Sequence, residues 1–155
     1  MHDLFLLLRT GSLREVEKAL LSDDINRENE FGENLLHEAI LTRKPDIALA
    51  LIARGINVNK GDHETTTSLH LCASKKPFDV ARAILKGGGD VTIQNSHGNQ
   101  PLWTAVFNAR VDYRLVKALL EAGADPNHKN KYAKSPLDFA VTIGSSELQK
   151  ILTAY

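Results

Sequence analysis

Six histidines, a single cysteine and one run of three glycines are the residues of this 155-residue chain whose types could carry chemistry. A metal or acid–base centre is the first reading that six imidazoles invite. His63, His97 and His128 fall in polar loop segments and His37 and His70 in apolar ones. None stands with Cys, Asp or a second His in the close pairing that zinc sites show, so no metal site is expected. Cys72 precedes Ala73 in an apolar run and has no spare histidine to activate it, so it reads as a buried small hydrophobe. Lys86-Gly87-Gly88-Gly89 imitates a phosphate-cradling loop, but it follows a helical pattern instead of opening one. No helix N-terminus is then offered to an anion, and the run reads as a helix stop. No catalytic constellation and no cofactor are expected.

The elements that hold these residues are bounded by composition. A chain of this length fits one domain and buries roughly two thirds of its unfolded surface. Lys plus Arg total 19 and Asp plus Glu total 19, which gives no net field to concentrate nucleic acid or an anionic membrane. The balance hides a polarity: residues 1 to 64 hold 8 basic and 12 acidic side chains, a net of −4, against 11 and 7, a net of +4, in residues 65 to 155. The apolar run Leu4-Phe5-Leu6-Leu7-Leu8 is too short for a signal peptide or a bilayer span. One cysteine cannot form an internal disulfide, and a cytoplasmic setting is expected by default.

Internal similarity organises the rest. Asn34-Leu35-Leu36-His37-Glu38-Ala39, Thr67-Ser68-Leu69-His70-Leu71-Cys72, Gln100-Pro101-Leu102-Trp103-Thr104-Ala105 and Ser135-Pro136-Leu137-Asp138-Phe139-Ala140 align on their central leucines, which are 33, 33 and 35 residues apart. A glycine landmark lies downstream in Ala53-Arg54-Gly55-Ile56, Lys86-Gly87-Gly88-Gly89 and Glu121-Ala122-Gly123-Ala124. Amphipathic helices such as Asp46–Ile52 and Leu115–Leu120 lie between the landmarks. Each block therefore reads as helix, turn, helix, glycine stop and polar loop.

This pattern resembles the ankyrin repeat, whose period is about 33 residues with a Thr-Pro-Leu-His-x-Ala signature. The resemblance covers nearly the whole chain and implies an all-α repeat solenoid with short β-hairpin loops, about five stacked helix-turn-helix units in a single domain spanning 1–155. The expected units are an N-terminal cap at 1–26, internal repeats at 27–59, 60–92 and 93–127, and a C-terminal cap at 128–155. Leu4 and Gly11 keep the seven-residue offset of Leu137 and Gly144 and complete the count. Pro101 and Pro136 match the signature proline at early helical positions, where no amide bond is lost, whereas Leu35 and Ser68 do not. Gly55 and Gly123 should cap helices at positive φ, and replacing either should cost about 1 kcal/mol. The continuous core is expected from Leu36, Leu69, Leu102 and Leu137 with Ile52, Ile84, Leu85, Leu119 and Leu120.

The resemblance also implies where a partner binds, at the hairpin tips and the exposed side of each first helix, which together line a concave face. Carried over by position, these are Glu30, Phe31, Glu33, Leu41 and Thr42, then His63, Glu64, Thr66, Ser74 and Lys75. The next repeat supplies Ser96, His97, Asn99, Phe107 and Asn108, and the last supplies Lys131, Tyr132, Lys134, Thr142 and Ile143. Phe31, Leu41, Phe107 and Tyr132 weigh most, since apolar and aromatic groups facing solvent on one side form an interaction patch. The family implies that His37 and His70 bond neighbouring repeats. Trp103 and Asp138 stand at the same signature position, so that bond is in doubt there, and Trp103 either fills space between repeats or anchors a partner. Thr65 and Ala133 replace the turn glycines seen at Gly32 and Gly98, so these hairpins are expected to be distorted. A two-residue insertion within Asn108–Arg114 lengthens one helix–helix turn and brings the interface-prone Arg110, Tyr113 and Arg114.

A repeat array with no catalytic constellation acts by occupancy. The expected function is non-enzymatic binding of another protein by a chain that is monomeric when unbound, inhibiting that partner. The family includes immunity proteins beside bacterial toxins and kinase inhibitors. An adaptor bridging two proteins is the alternative, and an enzyme with an unrecognised site is the remote one.

Overall fold

The computed structural model describes residues 3–155. Among the described residues ten helices follow one another in five antiparallel pairs: α1 (Leu4–Thr10) and α2 (Leu13–Ala19), α3 (Leu35–Leu41) and α4 (Pro45–Ala53), α5 (Ser68–Lys75) and α6 (Phe78–Lys86), α7 (Pro101–Asn108) and α8 (Arg114–Glu121), α9 (Pro136–Thr142) and α10 (Ser146–Thr153). First helices stack in one layer, α1 on α3 on α5 on α7 on α9, and second helices stack behind them from α2 through α4 and α6 to α8. The repeat solenoid read from the leucine phase is the fold observed.

Local chemistry starts and stops these short helices. Ser12 and Glu15 form a reciprocal capping box on α2, as Ser135 and Asp138 do on α9. Pro45, Pro101 and Pro136 sit in the first turn of α4, α7 and α9. The second helices stop at Gly55, Gly88 and Gly123, whose φ values are +82°, +89° and +90°, as the glycine landmarks predicted. Gly11 departs from its counterpart Gly144, since it is extended at φ −87° while Gly144 is left-handed at +67°.

Apolar side chains between successive pairs form one continuous core. Leu36, Leu69, Leu102, Ile84, Leu119 and Leu120 are buried as expected, but Ile52, Leu85 and Leu137 are only partly covered. Leu137 belongs to α9, the last of the stacked first helices, which packs mainly on α7 and α10.

The hairpins between pairs carry isolated bridges, Glu28 with Asn34 and Gly61 with Thr67, instead of extended strands. Their shape comes from one side chain repeated at matching positions. The side-chain oxygens of Asn29, Asp62, Asn95 and Asn130 each accept two backbone amides, two and four residues on, at 2.8–3.1 Å. Thr65 and Ala133 do not distort their hairpins. They adopt the same left-handed turn, φ +59° and +56°, that Gly32 and Gly98 adopt at +76° and +74°. Successive tips are joined by backbone bonds, His63 to Phe31 at 3.0 Å, Ser96 to Glu64 at 2.8 Å and Lys131 to His97 at 3.1 Å.

Candidate protein-binding face

The signature histidines tie repeat to repeat. The Nδ1 atoms of His37 and His70 accept the backbone amides of Asn34 and Thr67 at 3.3 and 3.2 Å. A carbonyl of the following hairpin, which can only accept, faces each Nε2, so Nε2–H donates to Thr66 at 2.9 Å and to Asn99 at 2.8 Å. Burial pushes both imidazoles below their ordinary pKa, against the opposing pull of those carbonyls. Both are therefore neutral structural rings. Burial also lifts the Cys72 thiol to about 12, which leaves it unreactive.

Trp103 breaks this pattern. It occupies the position of His37 and His70, yet its enclosed indole N–H has no hydrogen-bond partner. The ring lies instead 5.2 Å from Phe107 on its own helix and 5.9 Å from Phe139 of the next repeat, and Phe107 and Phe139 are 5.3 Å apart. The ring is half-buried between α7 and α9 and stacks on the exposed Phe107. Asp138, at the same position in the last repeat, makes no bridge either; it closes the capping box with Ser135 and lies 3.6 Å from Lys129.

Superposing the leucine registers exposes a regularity that the sequence pattern left unread. At the first and last junctions the residue five after the signature leucine of one repeat touches the residue two after the leucine of the next. At the first junction this is Arg9 with Glu38, a bidentate ion pair at 2.6 and 3.1 Å. At the last it is Phe107 with Phe139. Between them the equivalent positions are Leu41 with Leu71 and Ser74 with Thr104. Along these equivalent positions the residue types thus pass from charged through aliphatic and small polar to aromatic. The aligned leucines held the signal for Arg9 and Glu38, which require only that facing positions be compared.

The remaining expected residues lie as follows. Phe31, Leu41, Phe107 and Tyr132 are all exposed, at 59, 37, 56 and 65%. Phe31, Glu33, His63 and Glu64 line, with Asp62, a cavity of about 310 Å³ between two hairpin tips. The His63 ring packs over Gly32, where a Cβ would stand 2.6 Å from its Cδ2. His97 Nδ1 lies 3.1 Å from the Tyr132 hydroxyl, and the two rings stack. Glu30, Lys75 and Lys134 are exposed, as are Lys131, Thr142 and Ile143. Three other candidates are occupied internally: Glu33 accepts from the Asn29 amide at 2.7 Å, the Asn99 side chain accepts from Asn130 at 2.8 Å, and Asn108 donates to the Thr104 carbonyl at 2.8 Å. In the lengthened turn, Arg114 is also committed, holding Asp112 at 3.0 and 2.8 Å and lying 4.9 Å over the Phe78 ring. That hydrogen-bonded guanidinium holds the Asp112 carboxyl down at about 2. Tyr113 packs against the core, while Arg110 and Arg114 are both exposed and only Arg110 is without an ion-pair partner among the described residues.

Charge is sorted along the hairpin edge. Glu28, Glu30, Glu33, Asp62 and Glu64 crowd the first two hairpins, where Lys60 answers Glu28 at 3.0 Å, whereas Lys129, Lys131 and Lys134 surround the last. Among the described residues no cluster of three or more His, Cys, Asp or Glu could hold a metal, and no helix is long and apolar enough to cross a membrane.

Comparison with known proteins adds the family. A sequence model described as ankyrin repeats (3 copies) matches residues 4–95 and 69–155. A probable serine/threonine-protein kinase of Dictyostelium discoideum is 35% identical across 94% of this chain and 18% of its own length. A putative ankyrin repeat protein of Fowlpox virus is 29% identical across 97% of the chain and 34% of its length, and the mitochondrial disaggregase of Bos taurus 29% across 93% and 21%. The chain thus spans about a third or less of each of these relatives. With its leucine phase, interlocked helix pairs and bridging histidines, the chain belongs to the ankyrin repeat family.

Proposed function

We propose that this chain is a non-enzymatic protein-binding module whose concave face seats one partner on the Trp103–Phe107–Phe139 cluster and inhibits it by occupancy. The observation that carries this reading is Trp103. A histidine at its position would join α7 to the next hairpin as His37 and His70 do. The tryptophan leaves an enclosed N–H without an acceptor, a deficit of roughly 1–3 kcal/mol. What the exchange supplies is an aromatic surface with Phe107 more than half exposed, of the kind that anchors interfaces. Stability given up for exposed rings is the pattern expected of a binding site. That relatives named as a kinase, a disaggregase and a viral ankyrin repeat protein match nearly all of this chain supports a module separable from any one activity.

The sorted hairpin charges set the orientation: a basic patch of the partner faces Glu30, Glu33 and Glu64, and an acidic patch faces Lys131 and Lys134. The free chain is monomeric, and a cytoplasmic site of action fits its single buried thiol. The test is affinity capture from the native lysate with wild type, Trp103→His and Phe107→Ala. The histidine variant restores a bonding ring, so its melting temperature should equal or exceed that of wild type. A protein held by wild type, lost by both variants and inhibited on adding the purified chain supports the reading. Equal capture by all three removes the aromatic cluster from it.

A further inference from the structure

Between the turns that join α3 to α4 and α5 to α6 lies an open cavity of about 300 Å³, at the opposite ends of the first helices from the hairpins. Its floor is apolar, formed by Ala39, Ile40, Ala48 and Val80 with the rings of Pro45 and Pro77. Its rim is made of cations, Arg43, Lys44, Lys75 and Lys76. Lys44 donates to the Gly11 carbonyl at 2.8 Å, while Arg43, Lys75 and Lys76 are exposed and form no ion pair among the described residues. Asp46 and Asp79, in the first turns of α4 and α6, do not line the cavity, and Asp112 is held by Arg114.

Two comparisons within the molecule single this groove out. The equivalent gap one repeat on, between the α5–α6 and α7–α8 turns, is reduced to about 20 Å³ and lined by Ala109 and Asp112 of the inserted turn and by Leu115. The first helices all end at this edge, and their carbonyl ends attract cations. Yet α9 ends here with Thr142, Ile143 and Gly144, so helix polarity alone does not call for four cations. Arg43 and Lys76 moreover hold left-handed backbone, φ +57° and +66°, in the place that Gly144 fills in the last repeat.

We propose that this groove is a second binding site, for an acidic segment of a protein partner that places one aliphatic side chain on Ile40 and Val80 and its carboxylates against Arg43, Lys75 and Lys76. Charge complementarity selects the occupant, because an apolar floor inside a ring of unpaired cations rewards carboxylates beside an aliphatic group and repels basic segments. The volume matches the lower end of ligand pockets, about 300 Å³. The site is independent of the concave face.

The test measures fluorescence anisotropy of short labelled peptides with the full chain. The probe peptide carries a central leucine flanked by glutamates; its controls replace the leucine by serine or the glutamates by glutamines. Saturable binding that needs both features and weakens with added salt is expected. The double variant Arg43→Gly, Lys76→Gly removes two rim charges while supplying the residue this backbone prefers, and should weaken binding about tenfold or more. Arg54→Ala, Lys86→Ala removes equal charge elsewhere and should leave binding unchanged. Absence of saturable binding up to millimolar peptide, equal affinity in the rim variant, or equal loss in the control variant would overturn the proposal. So would rim-dependent binding of phosphatidylserine vesicles in preference to the peptide.

Discussion

His37 and His70 show how one side chain can set both a joint and its working range. Each is held neutral in the fold, with one ring nitrogen accepting an amide and the other donating across a repeat boundary. In the unfolded chain the same imidazoles titrate at their ordinary value of 6.5, whereas burial lowers them in the folded chain. Below that value the unfolded state binds more protons, so stability is full above about pH 6.5 and falls as pH drops toward the folded-state values. Exposed carboxylates held low, such as Asp112 and Asp90, lose their contribution only below about pH 4, a separate window. Urea titrations at about pH 7.5 and 5.5 should therefore show a lower midpoint at the acid value, and His70→Gln should flatten that slope. An unchanged midpoint in wild type would show that these rings are not the acid-sensitive joints.

At the scale of the element, the hairpins show what the sequence pattern missed. Reading Thr65 and Ala133 as sources of distortion followed from their lack of glycine's freedom at positive φ. The Asp62 and Asn130 side chains, each gripping two amides, hold the turn in the glycine conformation regardless. The signal was present, because Asn29, Asp62, Asn95 and Asn130 share the repeat phase of the leucines, but it lies outside the signature that defined the register. The strain is real all the same. Left-handed backbone costs a non-glycine residue about 1–2 kcal/mol, while glycine loses about 0.4–1 kcal/mol through its freer unfolded chain. Thr65→Gly and Ala133→Gly should each stabilise by about 0.5–1 kcal/mol, Thr65 more because it is β-branched, as chemical denaturation would measure. Helix phase and glycine stops were legible from period alone, and the exposure of Phe31 and Phe107 from the positions that the family resemblance places on the outer face. The three-ring cluster was not, since Phe139 joins it from the neighbouring repeat and only stacking brings the rings together.

The whole molecule is a row of junctions whose equivalent positions carry different residue types, an ion pair at the first and a pair of aromatic rings at the last. Such arrays gain their stability from nearest-neighbour contacts, so every junction has its own strength. The Arg9–Glu38 pair, half-exposed on the arginine side, weakens as salt screens it, whereas salts such as sulfate strengthen apolar burial of the kind that joins α7 to α9. Hydrogen exchange in sodium sulfate should therefore show α1 and α2 losing protection relative to α9 and α10, and the Arg9→Leu, Glu38→Leu variant should abolish that difference. The substitution of charge by rings along one groove makes the solenoid a directional spring. Its two ends are therefore expected to answer added salt in opposite directions, so that the medium rather than the protein sets which end is the looser.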